Sequence, residues 1–303
     1  MIKIIVGCFS KAVKKTWKSA SWLLKLMIPI SVSVTLLQYY GILDWLATYL
    51  HPIFVNIGLP GASAVTFISG AAAGTYAGIA AMMSMPLTMK QATILSLMIA
   101  LCHALPMESA VNRKTGSSFW RMSALRIVMA FLCAAIMNIL LPETTEMFLY
   151  MGAQAEASWQ EMLAECALSQ LKMSVMVVLI IYCLMVVQQF LDAFNLLRPL
   201  SRLLSPLMKL FGLTEHAAYM WLVGNVIGIS YGSAVMLELE ETGVITREEA
   251  NEVNYHLIMN HSLLEDTIVF AATGISALLL VTVRISFALL LVWGRRALVR
   301  RRS

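Results

Sequence analysis

Eight stretches of helix length, near residues 21–50, 62–85, 88–111, 119–141, 167–197, 216–237, 250–272 and 275–294, are predominantly apolar, and most of the charge lies between them. A helix that spans a bilayer needs about 20 such residues. In hydrocarbon a chain of this kind can satisfy its backbone only as helices, so the expected fold is an all-α polytopic membrane protein. Composition points the same way. Of the 303 residues, 59% are hydrophobic and 13% charged, against about 45–50% apolar and about 25% charged in soluble domains. The net charge of +5 would suit nucleic acid, but the basic groups sit in loops beside apolar spans. That pattern encodes sidedness in a membrane. The expected partner is therefore the lipid bilayer, and no nucleic acid. Cys8, Cys102, Cys133, Cys166 and Cys183 contain no C-x-x-C pair, which argues against a disulfide scaffold or a zinc ribbon.

Charge then orders the spans. Basic residues cluster at Lys11 to Lys18, at Arg113, Lys114 and Arg121, at Arg198, Arg202 and Lys209, and from Arg295 to Arg302. Each cluster is assigned to the cytoplasm. The stretches 142–165 and 238–252 are rich in Glu and poor in Lys and Arg, and both are expected outside. Eight full crossings would violate these assignments. Six crossings with re-entrant segments at 88–111 and 250–272 satisfy them, with eight full spans as the alternative. The N-terminus does not read as a cleavable signal peptide, because its apolar run is short and lysines follow it. Residues 1–20 are read as a basic amphipathic cytoplasmic segment and 21–141 as a first membrane repeat. An external amphipathic connector follows at 142–166, then a second repeat at 167–298 and a basic cytoplasmic tail at 299–303.

The division into repeats rests on self-similarity. An offset of 154 lays Gly70, Gly74 and Gly78 over Gly224, Gly228 and Gly232. An offset of 158 lays His103 over His261, Glu108 over Asp266, Thr115-Gly116 over Thr273-Gly274, and Arg126 over Arg284. Across 101–132 there are 10 identities in 32 positions, where chance in so biased a sequence gives roughly two or three. Three crossings per copy is an odd number, so the second copy is expected upside down relative to the first. Inverted repeats of this kind recur in secondary transporters.

The matched residues are the candidate site. The glycine ladders allow close helix packing or a bend. Thr75, Tyr76, Asn225, Ser230 and Tyr231 are polar groups within the same apolar spans. His103 with Glu108 and His261 with Asp266 place ionisable groups in apolar segments, where they are costly and mark ion or substrate pathways. Pro106 suggests an interruption in the first of these segments. Spacing of five does not place a His and an acid on one helical face, so a two-ligand metal helix is not supported and no metal site is expected. Arg126 and Arg284 lie several residues inside their spans. They either snorkel to an interface or pair with Glu108 and Asp266. No nucleotide-binding or nucleophile motif is present, so no cofactor and no enzyme activity are expected.

On the two glycine ladders and the run His261-Ser-Leu-Leu-Glu265-Asp266, the chain resembles the Gate-domain, or nucleoside-recognition, family of bacterial inner-membrane proteins. That family includes spore maturation proteins A and B and the permease part of the bacterial ferrous-iron transporter. The resemblance implies a permease of paired gates with re-entrant elements, working as a homodimer or beside a second Gate-domain protein. Cys102 and Cys133 have no cysteine counterparts in the second repeat, a departure from the iron-transporting relative. The resulting expectation is a secondary transporter for a nucleoside-like solute, another small organic solute or a cation, with both termini cytoplasmic. Glu108, Asp266, His103, His261, Asn225, Ser230, Tyr76, Thr75 and Tyr231 would bind the solute. The competing expectation is a membrane scaffold in which the glycines serve only helix association.

Overall fold

The computed structural model describes residues 2–149, 158–226 and 228–300. Among them every regular element is a helix, and the chain is an all-α membrane protein. Seven helices in the first half are matched by seven in the second. The first set is α1 (Ile2–Tyr39), α2 (Ile42–Val55), α3 (Ser63–Ala73), α4 (Thr75–Met83), α5 (Met89–Cys102), α6 (Leu105–Lys114) and α7 (Phe119–Leu140). The second is α8 (Trp159–Ala193), α9 (Leu197–Leu210), α10 (Glu215–Val226), α11 (Ile229–Glu241), α12 (Arg247–Asn260), α13 (Leu263–Ala272) and α14 (Ala277–Arg300). Among the described residues four continuous or interrupted helices are long and apolar enough to cross a membrane: Met89–Lys114, Phe119–Leu140, Trp159–Leu191 and Ala277–Leu298.

Helices α1 and α8 occupy the same place in the two sets and pack along each other. Phe9 meets Phe190 at one end and Tyr39 meets Trp159 at the other, so the two run antiparallel. Cys8, Ala12, Thr16 and Ala20, spaced four apart, form the buried stripe of α1. Residues at that spacing share one helix face. Residues 2–20 of the segment read as basic and amphipathic form the first half of the continuous α1, and their small residues make that stripe.

The fold-back expected at 88–111 and 250–272 lies elsewhere. Helices α3 and α4 turn at Gly74 and return, so that a methyl group on Gly78 would sit 3.1 Å from Gly70 Cα. In one straight helix those glycines would be about 12 Å apart. Thr66 Oγ1 donates to Met85 Sδ across the open end of this hairpin. The second hairpin turns at Gly228, where a methyl on Gly232 would lie 2.9 Å from Gly224 Cα. Both turns have φ near +107°, with ψ 174° and 162°, a region that is essentially glycine-only. Helices α5 and α6 are interrupted at Ala104 (φ 44°) but continue, as do α12 and α13 at Ser262 (φ 52°).

Cross-chain contacts sort the loops into two ends. At one end Ser117 bonds Asn251, Asn254 bonds Thr115, and Arg296 pairs with Glu252 and donates to Gly212 O. At the other end Met89 N donates to Glu146 O, Lys90 pairs with Glu143, and Met89 packs beside Gly274. Residues 247–252 therefore lie at the same end as 113–118 and 295–296. This corrects the expectation that 238–252 faces the opposite side from them, because the second hairpin returns to the end it entered from. Of the expected connector 142–166, residues 142–149 lie extended against 87–89 and 159–166 begin α8, while 150–157 are outside the described residues. Arg301 and Arg302 of the expected tail also lie outside them.

Candidate functional site

Each interrupted helix ends in the same construction. Beyond a break, the last carbonyls of the first segment have no intrahelical donor. Arg126 of α7 supplies one to the end of α5: Nε donates to Leu101 O at 2.9 Å and an η nitrogen to His103 O at 2.8 Å. Its other η nitrogen meets Glu108 Oε2 at 2.5 Å. Glu108 stands in the first turn of α6, where the helix dipole favours an anion. Pro106 lies in that same turn, where its missing N–H costs nothing. Arg284 repeats the arrangement on α12 and α13, with Met259 O at 3.1 Å, His261 O at 2.5 Å and Asp266 Oδ2 at 2.9 Å. Both guanidiniums are fully buried. They do not snorkel to an interface. Each neutralises one buried carboxylate and caps one broken helix.

The hairpin tips seat against these breaks. Ala104 N donates to Gly70 O at 3.0 Å, and Ser262 N donates to Gly224 O at 3.2 Å. One hairpin arrives from each end of the molecule, and their tips meet the breaks at a common level in its interior. There the two repeats touch. His103 Nε2 lies 3.1 Å from His261 Nε2. His103 also lies 3.2 Å from Glu108, and His261 reaches across to the same carboxylate at 3.0 Å. Thr75, at the tip of the first hairpin, donates to Asp266 Oδ1 at 2.9 Å, and Tyr76 donates to Glu265 at 3.1 Å. His103, Glu108, His261 and Asp266 are all at most 5% exposed.

Of the residues singled out in the sequence, this junction thus gathers His103, Glu108, Arg126, His261, Asp266, Arg284, Thr75 and Tyr76. Asn225 is buried on α10 and donates to Trp221 O of its own helix, and among the described residues it makes no bond to the cluster. Ser230 and Tyr231 belong to α11, and their side chains lie outside the described residues. Gly70 with Gly78 and Gly224 with Gly232 are the close contacts inside the hairpins, while Gly74 and Gly228 are the turns. Glu265 belongs to the site through Tyr76 and was not singled out. It was masked by its neighbour Asp266, which aligns with Glu108. Asn260, fully buried beside His261, has no bonding partner for either side-chain atom among the described residues.

Residues 20–117 match the family model described as Gate, nucleoside recognition. The chain is 32% identical over 296 residues to the uncharacterized membrane protein YvoD of Bacillus subtilis (strain 168), an alignment that covers 96% of this chain and 93% of that protein. No solved structure matches the chain.

Proposed function

Because the chain belongs to the Gate, or nucleoside-recognition, family of bacterial membrane proteins, we propose that it is a secondary transporter of the inner membrane. On this reading it moves a small polar or charged solute by alternating access between two inverted repeats. The observation that carries the proposal is the junction itself. Two arginine–carboxylate–histidine units, one per repeat, meet at the tips of hairpins that enter from opposite ends. Buried ionisable groups on interrupted helices at a repeat interface are where transporters of this architecture hold their solute.

Chemistry narrows what the junction accepts. Glu108, Asp266 and Glu265 accept from hydroxyl and amine groups, as a nucleoside-like solute or a cation would require. The end carrying Arg113, Lys114, Arg247, Arg295 and Arg296 is read as cytoplasmic from its basic residues, and on this reading both termini are cytoplasmic.

Uptake into proteoliposomes tests the proposal, with panels of labelled nucleosides, amino acids, polyamines and divalent cations. Glu108→Gln and Asp266→Asn should each abolish uptake of the active solute while the purified variants stay monodisperse. Unchanged uptake in both variants would remove the junction as the solute site.

A further inference from the structure

Three lone pairs converge where the repeats touch. His103 Nδ1 lies 3.2 Å from Ile99 O, and His261 Nδ1 lies 2.6 Å from Leu257 O, each four residues back along its own helix. A carbonyl oxygen only accepts, so each Nδ1 carries the ring proton, and Nε2 of the neutral imidazole is then an acceptor. The two Nε2 atoms face each other at 3.1 Å, and the Glu108 carboxylate closes the triangle at 3.2 and 3.0 Å. Three electron-rich groups at this separation repel one another unless a positive charge lies between them.

We propose that His103 Nε2, His261 Nε2 and the Glu108 carboxylate form a binding site for one divalent first-row transition-metal ion, shared between the two repeats. Size supports it. Ligands about 2.0–2.1 Å from a tetrahedral ion stand about 3.3 Å from one another. The two Nε2 atoms are 3.1 Å apart, His103 lies 3.2 Å from Glu108 Oε1 and His261 3.0 Å from Oε2. One ligand atom from each residue can be chosen with all three within 4.8 Å of one another. The surroundings support it independently. Metal-ligating histidines donate their other ring N–H to a carbonyl or carboxylate, and ligating carboxylates are themselves hydrogen-bonded. Both imidazoles donate to a backbone carbonyl, and Arg126 holds Glu108.

Ligand type sets the class of ion. Two imidazoles and one carboxylate suit zinc, cobalt or ferrous iron, whereas calcium and magnesium take oxygen. Charge sets how the ion is held. Arg126 balances Glu108 and Arg284 balances Asp266, so Glu265, bonded to Tyr76, is the remaining carboxylate facing the site. The ion is thus under-compensated and exchangeable. Three protein ligands also leave a fourth position for water or a solute atom. This names a ligand class for the junction and rests on the transport reading only in treating that junction as a binding site.

Equilibrium binding of Co2+ to the purified full-length protein in detergent tests the site without any transport. One equivalent should bind, with the visible absorption of a tetrahedral ion, and Zn2+ should displace it. Protons compete for Nε2, so affinity should fall as pH is lowered. His103→Gln and His261→Gln should each weaken binding at least about tenfold. His256→Gln should leave it unchanged, because His256 is buried elsewhere against Phe211 O. No saturable binding by the wild-type protein would overturn the proposal whatever the variants do, and so would undiminished binding in both junction variants. Solute uptake without metal binding would leave the transport reading intact, and binding without uptake of any solute would remove the transport reading alone.

Discussion

Replacing Arg126 by Leu removes a guanidinium that makes three bonds inside the protein, to Glu108, Leu101 O and His103 O. Breaking a buried ion pair from one side costs about 3–5 kcal/mol, because the other charge is left uncompensated. Each abandoned carbonyl adds about 1–3 kcal/mol of unrecovered desolvation. Proton uptake by Glu108 limits the sum, so the expected loss is about 5 kcal/mol. Glu108→Gln strands the buried Arg126 charge on its two carbonyls and should itself cost about 3–5 kcal/mol. The informative quantity is the double variant. With Glu108 neutral the stranded charge is gone, so Arg126→Leu/Glu108→Gln should be about 2–4 kcal/mol more stable than the sum of the single losses. Reversible unfolding in mixed micelles, followed by circular dichroism, measures all four corners of the cycle. A single Arg126→Leu loss below about 1 kcal/mol, or strict additivity, would refute the argument that this arginine holds the break together.

The hairpins and the sidedness make further predictions. Gly232→Ala pushes a methyl to 2.9 Å from Gly224 Cα, a backbone atom that cannot swing aside, so melting should fall by an amount equivalent to about 1–3 kcal/mol; Gly294→Ala, with nothing within 4 Å, should leave melting unchanged. Gly74→Ala forces a side chain into φ +108° and should cost about 1–3 kcal/mol in the same assay. In a cysteine-free background, Lys114→Cys and Glu248→Cys should react with an impermeant maleimide from one side of the membrane and Glu146→Cys from the other. Labelling of positions 114 and 248 from opposite sides would contradict the arrangement of the second hairpin.

The repeat was legible in the sequence because equivalent residues keep equivalent tasks. Gly74 and Gly228 both turn, His103 and His261 both end a helix, and Arg126 and Arg284 both cap one. The place of the fold-back was not. Charge parity assigns it to 88–111 and 250–272, and Pro106 agrees with the first. Yet parity does not say which segments fold back, and a proline in a first turn is compatible with a helix that resumes after one left-handed residue. The Gly-x3-Gly spacing reads as one helix face, and nothing in spacing alone distinguishes that from two arms pressed together around Gly74. Nor can spacing speak of contacts between repeats. His103 and His261 lie 158 positions apart, and only the packing of the hairpin tips against the two breaks brings them together. The sidedness of 238–252 failed for a related reason. Its glutamates carry little topogenic weight, and its position follows from packing against Thr115, Ser117 and Arg296.

The two units at the junction are not equal, and the inequality has a chemical cause. Asp266 divides its oxygens between Arg284 and the Thr75 hydroxyl of the opposite repeat. Glu108 divides its own between Arg126 and the two histidines. At the offset of 154 the counterpart of Thr75 is Ile229, whose side chain has nothing to donate. Glu108 is therefore left to the imidazoles, while Asp266 is occupied. Helix α11, which begins at Ile229, packs beside α6, which carries Glu108. Installing the missing hydroxyl with Ile229→Thr should give Glu108 the donor that Asp266 already has. Competition from one neutral hydrogen bond, about 0.5–1.5 kcal/mol, should weaken Co2+ binding by about two- to tenfold and leave the fold unchanged. Thr75→Val frees Asp266 Oδ1, while Oδ2 stays with Arg284, so it should leave Co2+ affinity at Glu108 unchanged. If Ile229→Thr leaves Co2+ affinity untouched, the preference of the histidines for Glu108 does not arise from this one missing hydroxyl.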